Sequence, residues 1–265
     1  MPRYVEDPNN LEAHARCLLE ELRSQGTLKM KDRLAIPVQT PPVLDPGERS
    51  RLQEEVEKPL TPAQAVLESM RCIQCKKPAC VKGCPVAIDI PEFLRLTAEG
   101  DFSAAIEVIK RTSLLPAICG RVCPQERQCQ QECAVGKSLK DVGRAVAIGK
   151  VERFLADWQR NQAQAPVPRV KSPSGRKVAV IGSGPAGLVV AADCRREGHQ
   201  VTVFEAFHKL GGVLRYGIPE FRLPKEVVDA EIDLLRRMGV EFRTNFVVGR
   251  TRKLLDLMDK DGFDA

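Results

Sequence analysis

Cys72-Ile73-Gln74-Cys75-Lys76-Lys77-Pro78-Ala79-Cys80-Val81-Lys82-Gly83-Cys84-Pro85 is matched further on by Cys119-Gly120-Arg121-Val122-Cys123-Pro124, with Cys129 and Cys133 behind it. These two runs carry eight of the ten cysteines, against three histidines in the whole chain. A thiolate-rich, imidazole-poor set suits iron–sulfur chemistry, in which each iron of a [4Fe–4S] cube takes one thiolate. By count, eight thiols suffice for two cubes. In bacterial ferredoxins the cysteine before a proline ligates the other cluster. Cys72, Cys75 and Cys80 therefore read as a set wrapping one cube, and Cys84 as a ligand crossing to a second. One cysteine of the later run then crosses back. The gap between Cys75 and Cys80 departs from ferredoxin spacing, so the likeness is one of ligand logic and not of fold. Structural zinc, which four cysteines also hold, stays open as the alternative.

Composition narrows the setting. A hydrophobic fraction of 43% is ample for a core, and 265 residues accommodate one large domain or two small ones. A net charge of +6, spread along the chain, is an ordinary solvated surface or a mild preference for an acidic partner. Aromatics make up only 5% and no dense basic stripe occurs, which argues against nucleic acid. Met1-Pro2-Arg3-Tyr4-Val5 lacks the apolar core of a secretory signal, and no apolar run reaches membrane-spanning length. In a reducing cytoplasm, clustered cysteines are metal ligands rather than disulfides. Cys17 and Cys194 read as plain buried thiols.

Along the chain, Leu11, Ala15, Leu18, Leu19 and Leu22 predict a helix over residues 10–24. The proline-rich residues 36–47 predict an extended strap. Thr61 ahead of Pro62 predicts an N-cap and a helix through residue 70, and further helices are expected at 91–98, 101–112 and 143–158. Residues 1–50 thus form an N-terminal extension and 51–160 a helical cysteine domain. Residues 161–176 read as a linker rich in Gln, Ala, Pro and Ser. Behind it, residues 177–181 read as a buried strand, 185–197 as a helix, 200–205 as a second strand, 224–238 as a helix and 240–242 as the start of another strand.

Gly182-Ser183-Gly184-Pro185-Ala186-Gly187 sits between that first strand and helix, with Glu205 closing the second strand. This is the context a dinucleotide-binding fold requires. The glycines admit a pyrophosphate to the helix N-terminus, and Glu205 is placed to accept from ribose hydroxyls. Residues 261–265 stop where another strand is due, so residues 177–265 are expected to be the first part of a truncated domain and the chain a fragment.

The block from Arg71 through Leu94, Gly120-Arg121-Val122-Cys123-Pro124-Gln125-Glu126 and Val146-Ala147-Ile148-Gly149-Lys150-Val151-Glu152-Arg153-Phe154 together resemble the small subunit of NADPH-dependent glutamate synthase. A similar module occurs in the N-terminal half of dihydropyrimidine dehydrogenase and in the large subunit of NADH-dependent ferredoxin:NADP oxidoreductase. The resemblance spans about residues 50–265. It implies an α-helical double [4Fe–4S] ferredoxin-like domain followed by an α/β Rossmann-type FAD-binding domain, incomplete at its C-terminus. It assigns Cys72, Cys75, Cys80 and Cys133 to one cluster, and Cys84, Cys123, Cys129 and Glu152 to the other. Cys119 is left as a spare thiol. From residues alone Glu152 would read as a solvated helix glutamate, although it lies beside the apolar Val151 and Leu155. The tract Gly211-Gly212-Val213 through Pro224 resembles the family's FAD-contacting segment, and Arg222 and the backbone near Val248 are implied to touch the flavin.

The implied activity is that of an NAD(P)H oxidoreductase subunit. Electrons would pass from NADP(H), through FAD and the clusters, to a large glutamate synthase-type subunit or a ferredoxin-type partner. The NADP(H) domain itself is not among these residues, and FAD is expected to be held poorly without the rest of its site. No acid–base residue is assigned. The rival from another class is a non-enzymatic electron-transfer or interaction fragment; within the class, the bifurcating reductase and a pyrimidine-reducing subunit remain alternatives.

Overall fold

The computed structural model describes residues 3–162 and 166–265. It divides into two compact units, Met1–Ala163 and Gln164–Ala265. Met1 and Pro2, and within the stretch read as a linker Ala163, Gln164 and Ala165, lie outside the described residues.

The first unit is helical: α1 (Pro8–Ser24), α2 (Met30–Ala35), α3 (Pro46–Arg49), α4 (Pro62–Met70), α5 (Ala79–Lys82), α6 (Ile90–Glu99), α7 (Phe102–Lys110), α8 (Pro116–Val122), α9 (Ala134–Leu139) and α10 (Ile148–Arg160). Local chemistry sets the ends. Thr61 and Gln64 form a reciprocal capping box, Gln64 N to Thr61 Oγ1 at 3.4 Å and Thr61 N to Gln64 Oε1 at 3.1 Å, with Pro62 in the first turn. Asp7 caps α1 through Asn9 N at 2.7 Å, so that helix starts ahead of the predicted residue 10. The N-terminal extension shares a core with the cysteine domain. Ala15, Leu19 and Leu22 of α1 pack with Ile36 and with Ala63, Val66 and Leu67 of α4, the helix that leads into Cys72.

Helix α10 is the centre of this unit and packs against α4, α6, α7 and α8. Phe102 meets Phe154 and Trp158 edge-on, at ring separations of 5.0 and 5.7 Å. The helix expected over 143–158 is divided. Val142–Arg144 is a single 3-10 turn and α10 begins only at Ile148. The interruption has a long-range cause. Arg71, 1% exposed, donates from Nη2 to Arg144 O at 2.5 Å and from Nη1 to Ala145 O at 2.9 Å, while Glu68 accepts from Ala147 N at 2.8 Å. Ala147 N has one proton, and donating it to Glu68 leaves none for a helical bond back to residue 143. The same pair holds the strap, through Arg71 Nε to Ile36 O (3.2 Å) and Gln39 N to Glu68 Oε2 (2.8 Å).

The second unit contains β1 (Lys177–Ile181), α11 (Pro185–Arg196), β2 (Gln200–Phe204), α12 (Val213–Tyr216), α13 (Lys225–Arg237), β3 (Glu241–Arg243) and α14 (Leu254–Asp259). The strands form a parallel sheet in the order β1-β2-β3, with Val180 opposite Val203 and Val203 opposite Phe242. Parallel pairing with α11 as the crossover is the βαβ unit that the sequence predicts. Asp264 and Ala265 lie along β1 as well, with Asp264 N donating to Lys177 O and Ala179 N to Ala265 O, each at 2.8 Å. β1 is less covered than a buried strand. Val180 is buried, but Ile181, at the strand's end before the glycine turn, is exposed.

Removing one member of the Arg71–Glu68 pair strands the other charge in the core. Arg71→Met should therefore lower unfolding stability by about 3–5 kcal/mol, read as a shift of the urea midpoint. A shift within experimental error would show that the pair does not organise the unit.

Candidate functional site

Cys72 follows α4 directly, and Arg33 Nη1 braces it by donating to Met70 O at 2.9 Å and Cys72 O at 3.0 Å. Gln74, in the left-handed region at φ 51°, turns the chain sharply between Cys72 and Cys75, and its amide reaches Pro91 O at 3.0 Å. Cys80 rides on α5, and Cys133 is the residue from which α9 starts. The turn, the short helix and the helix start bring Cys72, Cys75, Cys80 and Cys133 to the lining of one pocket, with Ile90, Leu94 and Val146 among its apolar walls.

Burial, reinforced by the neighbouring thiols, pushes Cys72 up to about 11 and Cys80 up to about 12. Four sulfurs in an apolar pocket cannot all be thiolates unless a cationic centre lies among them. A cube takes one thiolate at each of four separate corners, and four cysteines line this one pocket.

The second set is built on α8, α10 and the segment between α5 and α9. Burial, then the charges of Glu152 and Cys84, push Cys129 up to about 12, and Cys123 is the next of its electrostatic neighbours. Glu152, on α10, is buried, and its Oε1 has no hydrogen-bond partner. Burial, aided by Cys123, pushes its carboxyl up to about 8. An orphaned carboxylate oxygen facing thiols is costly in an apolar interior, and a bound cation satisfies it. The solvated reading of Glu152 is thus replaced by a buried one. Cys119 does not line the first pocket. Its thiol lies 4.0 Å from Ser113 Oγ and is hydrogen-bonded to Cys123. That bond pushes the Cys119 thiol up and holds Cys123 below its ordinary value.

Two features that position this set were missed in the sequence. A Cβ on Gly120 would stand 2.7 Å from the N, Cα and Cβ of Arg153, so the absence of a side chain lets α8 touch α10 between Cys119 and Cys123 on one side and Glu152 on the other. Around that contact Arg121 donates to Glu55 and Asp157 at 2.7 Å each, and Arg153 pairs with Glu55 at 3.0 Å. The signal available was charge on the inward positions of α10. Its partner Glu55 is too distant in sequence to be named from periodicity.

In the second unit the turn from β1 into α11 is tightened at Gly187, where a Cβ would meet Gly182 O at 2.0 Å. A Cβ on Gly184, by contrast, would meet nothing within 4 Å, leaving the open approach a phosphate needs at the α11 N-terminus. Pro185 and Ala186 form the first exposed turn of that helix. The buried Glu205 carboxylate accepts from Ser183 N and Phe207 N, each at 2.9 Å, and from the Ser183 hydroxyl. Ser183 Oγ in turn accepts from Gly211 N at 3.0 Å, so the glycine loop, β2 and the Gly211-Gly212 turn are joined through one hydroxyl. Burial opposes ionisation of Glu205, but these hydrogen bonds outweigh it and hold the carboxyl below its ordinary value.

Val213 and Arg222 are exposed, and Val248 is half-buried in a turn bridging to Arg252. The tract between them is pinned by Lys225, whose ammonium donates to Leu214 O (3.2 Å), Ile218 O (2.5 Å) and Leu223 O (2.9 Å).

Residues 49–164 match the family model described as dihydropyrimidine dehydrogenase domain II, 4Fe-4S cluster, and residues 180–239 match an NAD(P)-binding Rossmann-like domain. The chain is 42% identical over 194 residues to the glutamate synthase [NADPH] small chain of Azospirillum brasilense, covering 73% of this chain and 39% of that one. It is 40% identical over 204 residues to the Escherichia coli counterpart, covering 77% and 42%. To the E. coli NAD-dependent dihydropyrimidine dehydrogenase subunit PreT it is 36% identical over 204 residues, covering 77% and 48%. The chain thus spans 39% to 48% of the length of these curated relatives.

Gly120→Ala should destabilise the first unit by about 1–3 kcal/mol through overpacking at the α8–α10 contact, measured by urea unfolding. In the second unit the folded pKa of Glu205 lies below the unfolded one, so its contribution to stability is complete above the unfolded value of about 4.3 and is lost as pH falls through the folded value. The stability difference between the wild type and Glu205→Gln should accordingly be largest near neutrality and shrink below about pH 4. A difference independent of pH would contradict this role.

Proposed function

We propose that this chain, which is similar to glutamate synthase small chains over the part of their length that it spans, is the electron-relay portion of an NAD(P)H oxidoreductase subunit. Cys72, Cys75, Cys80 and Cys133 would hold one [4Fe–4S] cluster, and Cys84, Cys123, Cys129 and Glu152 a second. Gly182 through Gly187, Glu205, Gly211, Gly212, Val213, Arg222 and the backbone near Val248 would form the opening part of an FAD site. The observation that carries the reading is Glu152: a buried carboxylate with an unpartnered oxygen, close enough to Cys123 and Cys129 for its charge to act on them.

When bound, these groups would supply the conversion of a two-electron hydride donor into one-electron carriers. The protein's own part is placement. The pocket walls exclude water from the first sulfur set. The close approach at Gly120 sets Glu152 against Cys123, and Ser183 locks the glycine loop to the end of β2. The loop geometry serves any dinucleotide pyrophosphate. The choice of FAD rests on the tract from Gly211 to Pro224, which an NAD-only domain lacks. NADP(H) oxidation and delivery to a large, glutamate synthase-type subunit are proposed for the longer protein. A pyrimidine-reducing assembly is the second reading, favoured by the dihydropyrimidine dehydrogenase subunit among the relatives. Clustered reduced thiols suit a cytoplasmic setting, and no helix among the described residues is long and apolar enough to cross a membrane.

Glu152→Ala, purified without oxygen and reduced, should alter the EPR signal of one cluster and leave the other as in the wild type. Unchanged signals from both would remove Glu152 from the ligand set. The wild-type protein should bind added FAD weakly, read as a change in flavin fluorescence on titration, and Gly184→Val should abolish that change without disturbing either cluster signal.

A further inference from the structure

The sulfur ligands are not covered equally. Cys72, Cys129 and Cys133 are buried, whereas Cys75, Cys80 and Cys84, and apart from them Cys123, keep partial exposure. Three of these four, Cys75, Cys80 and Cys84, lie on one stretch, residues 75–84, which also carries the exposed Lys76, Lys77 and Lys82 and contains no carboxylate. None of the three ammonium groups has a hydrogen bond or ion pair among the described residues. Glu132, the carboxylate lining the adjacent pocket, is already taken by Lys137 at 2.5 Å. Directly after Cys84 the chain exposes Pro85, Val86 and Ala87, with Val86 44% exposed. An apolar patch bordered by uncompensated positive charge is thus set beside the stretch that holds most of the partly exposed sulfur ligands.

Electron transfer between proteins weakens steeply with distance, so a partner must dock where a cluster is least covered. Charge at that place steers the encounter and selects the partner by sign, while a small apolar centre within a polar rim is how such interfaces are organised. We propose that residues 75–87 form the docking surface for an acidic electron-transfer protein, with Lys76, Lys77 and Lys82 as steering residues around Val86. This rests on the assignment of clusters to the cysteines. The lysines neither ligate nor line the pocket, so their charge can be changed without touching the ligand set.

The test uses the chain with its clusters loaded and reduced by dithionite. Stopped-flow mixing follows their oxidation by an acidic haem protein, cytochrome b5, and by a basic one, cytochrome c. The wild type should react with cytochrome b5 at a rate that falls steeply as salt rises. The variant Lys76→Glu/Lys77→Glu/Lys82→Glu should lose about tenfold or more of that rate at low salt, the scale of electrostatic steering, and should gain rate with cytochrome c. Its iron, sulfide and EPR signals should match the wild type, and the neutral Lys76→Gln/Lys77→Gln/Lys82→Gln variant should fall between the two. A cluster-loaded variant of either kind oxidised by cytochrome b5 at the wild-type rate, or a wild-type rate indifferent to salt, overturns the docking surface. Failure of the wild type to take up iron and sulfide would instead overturn the cluster assignment beneath it.

Discussion

Arg71 and Glu68 leave water together, and each can stay charged in the core only because the other is present alongside five backbone groups, at Ile36, Gln39, Arg144, Ala145 and Ala147. A buried pair of this kind adds little net stability, since desolvation consumes most of the attraction. Its effect is on arrangement. It joins the end of α4 to the N-terminal strap and to the turn ahead of α10. One position after Arg71 stands Cys72, and one turn into α10 stands Glu152. The pair therefore fixes the place from which the first cysteine run departs and the place from which the helix carrying the carboxylate begins.

The remaining ligand geometry depends on that placement. With α10 positioned, the missing side chain at Gly120 lets α8 close on Arg153, and the Arg121–Glu55–Arg153–Asp157 charges seal the contact. Cys123 then faces Glu152 across the helix pair. The interior so formed is hostile to anions: burial raises Cys72, Cys80, Cys129 and Glu152 alike. As free anions these groups are poorly stable, and as ligands of a cationic centre they would be relieved, which is the condition under which cofactor binding and folding become one equilibrium.

Much of this was legible beforehand because it is written locally. The cysteine spacing, the Thr61-Pro62 cap and the strand–glycine loop–helix order each depend on residues a few positions apart, and the corresponding elements formed. What was not legible depends on residues distant in the chain. The start of α10 at Ile148 instead of near residue 143 follows from Arg71, more than seventy positions away. The role of Gly120 follows from Arg153, and that of Ser183 from Glu205 and Gly211. Glu152 is the instructive case. Its neighbours Val151 and Leu155 hinted at an inward face, yet a glutamate in a helix is ordinarily solvated, and only packing on several sides settles its burial.

Two proposed iron–sulfur sites, one of four thiolates and one of three thiolates and a carboxylate, are separated from a zinc staple directly by metal stoichiometry. The chain purified without oxygen should be brown and contain about eight iron and eight acid-labile sulfide, two cubes of four, with negligible zinc. A colourless protein carrying zinc and no sulfide would contradict it.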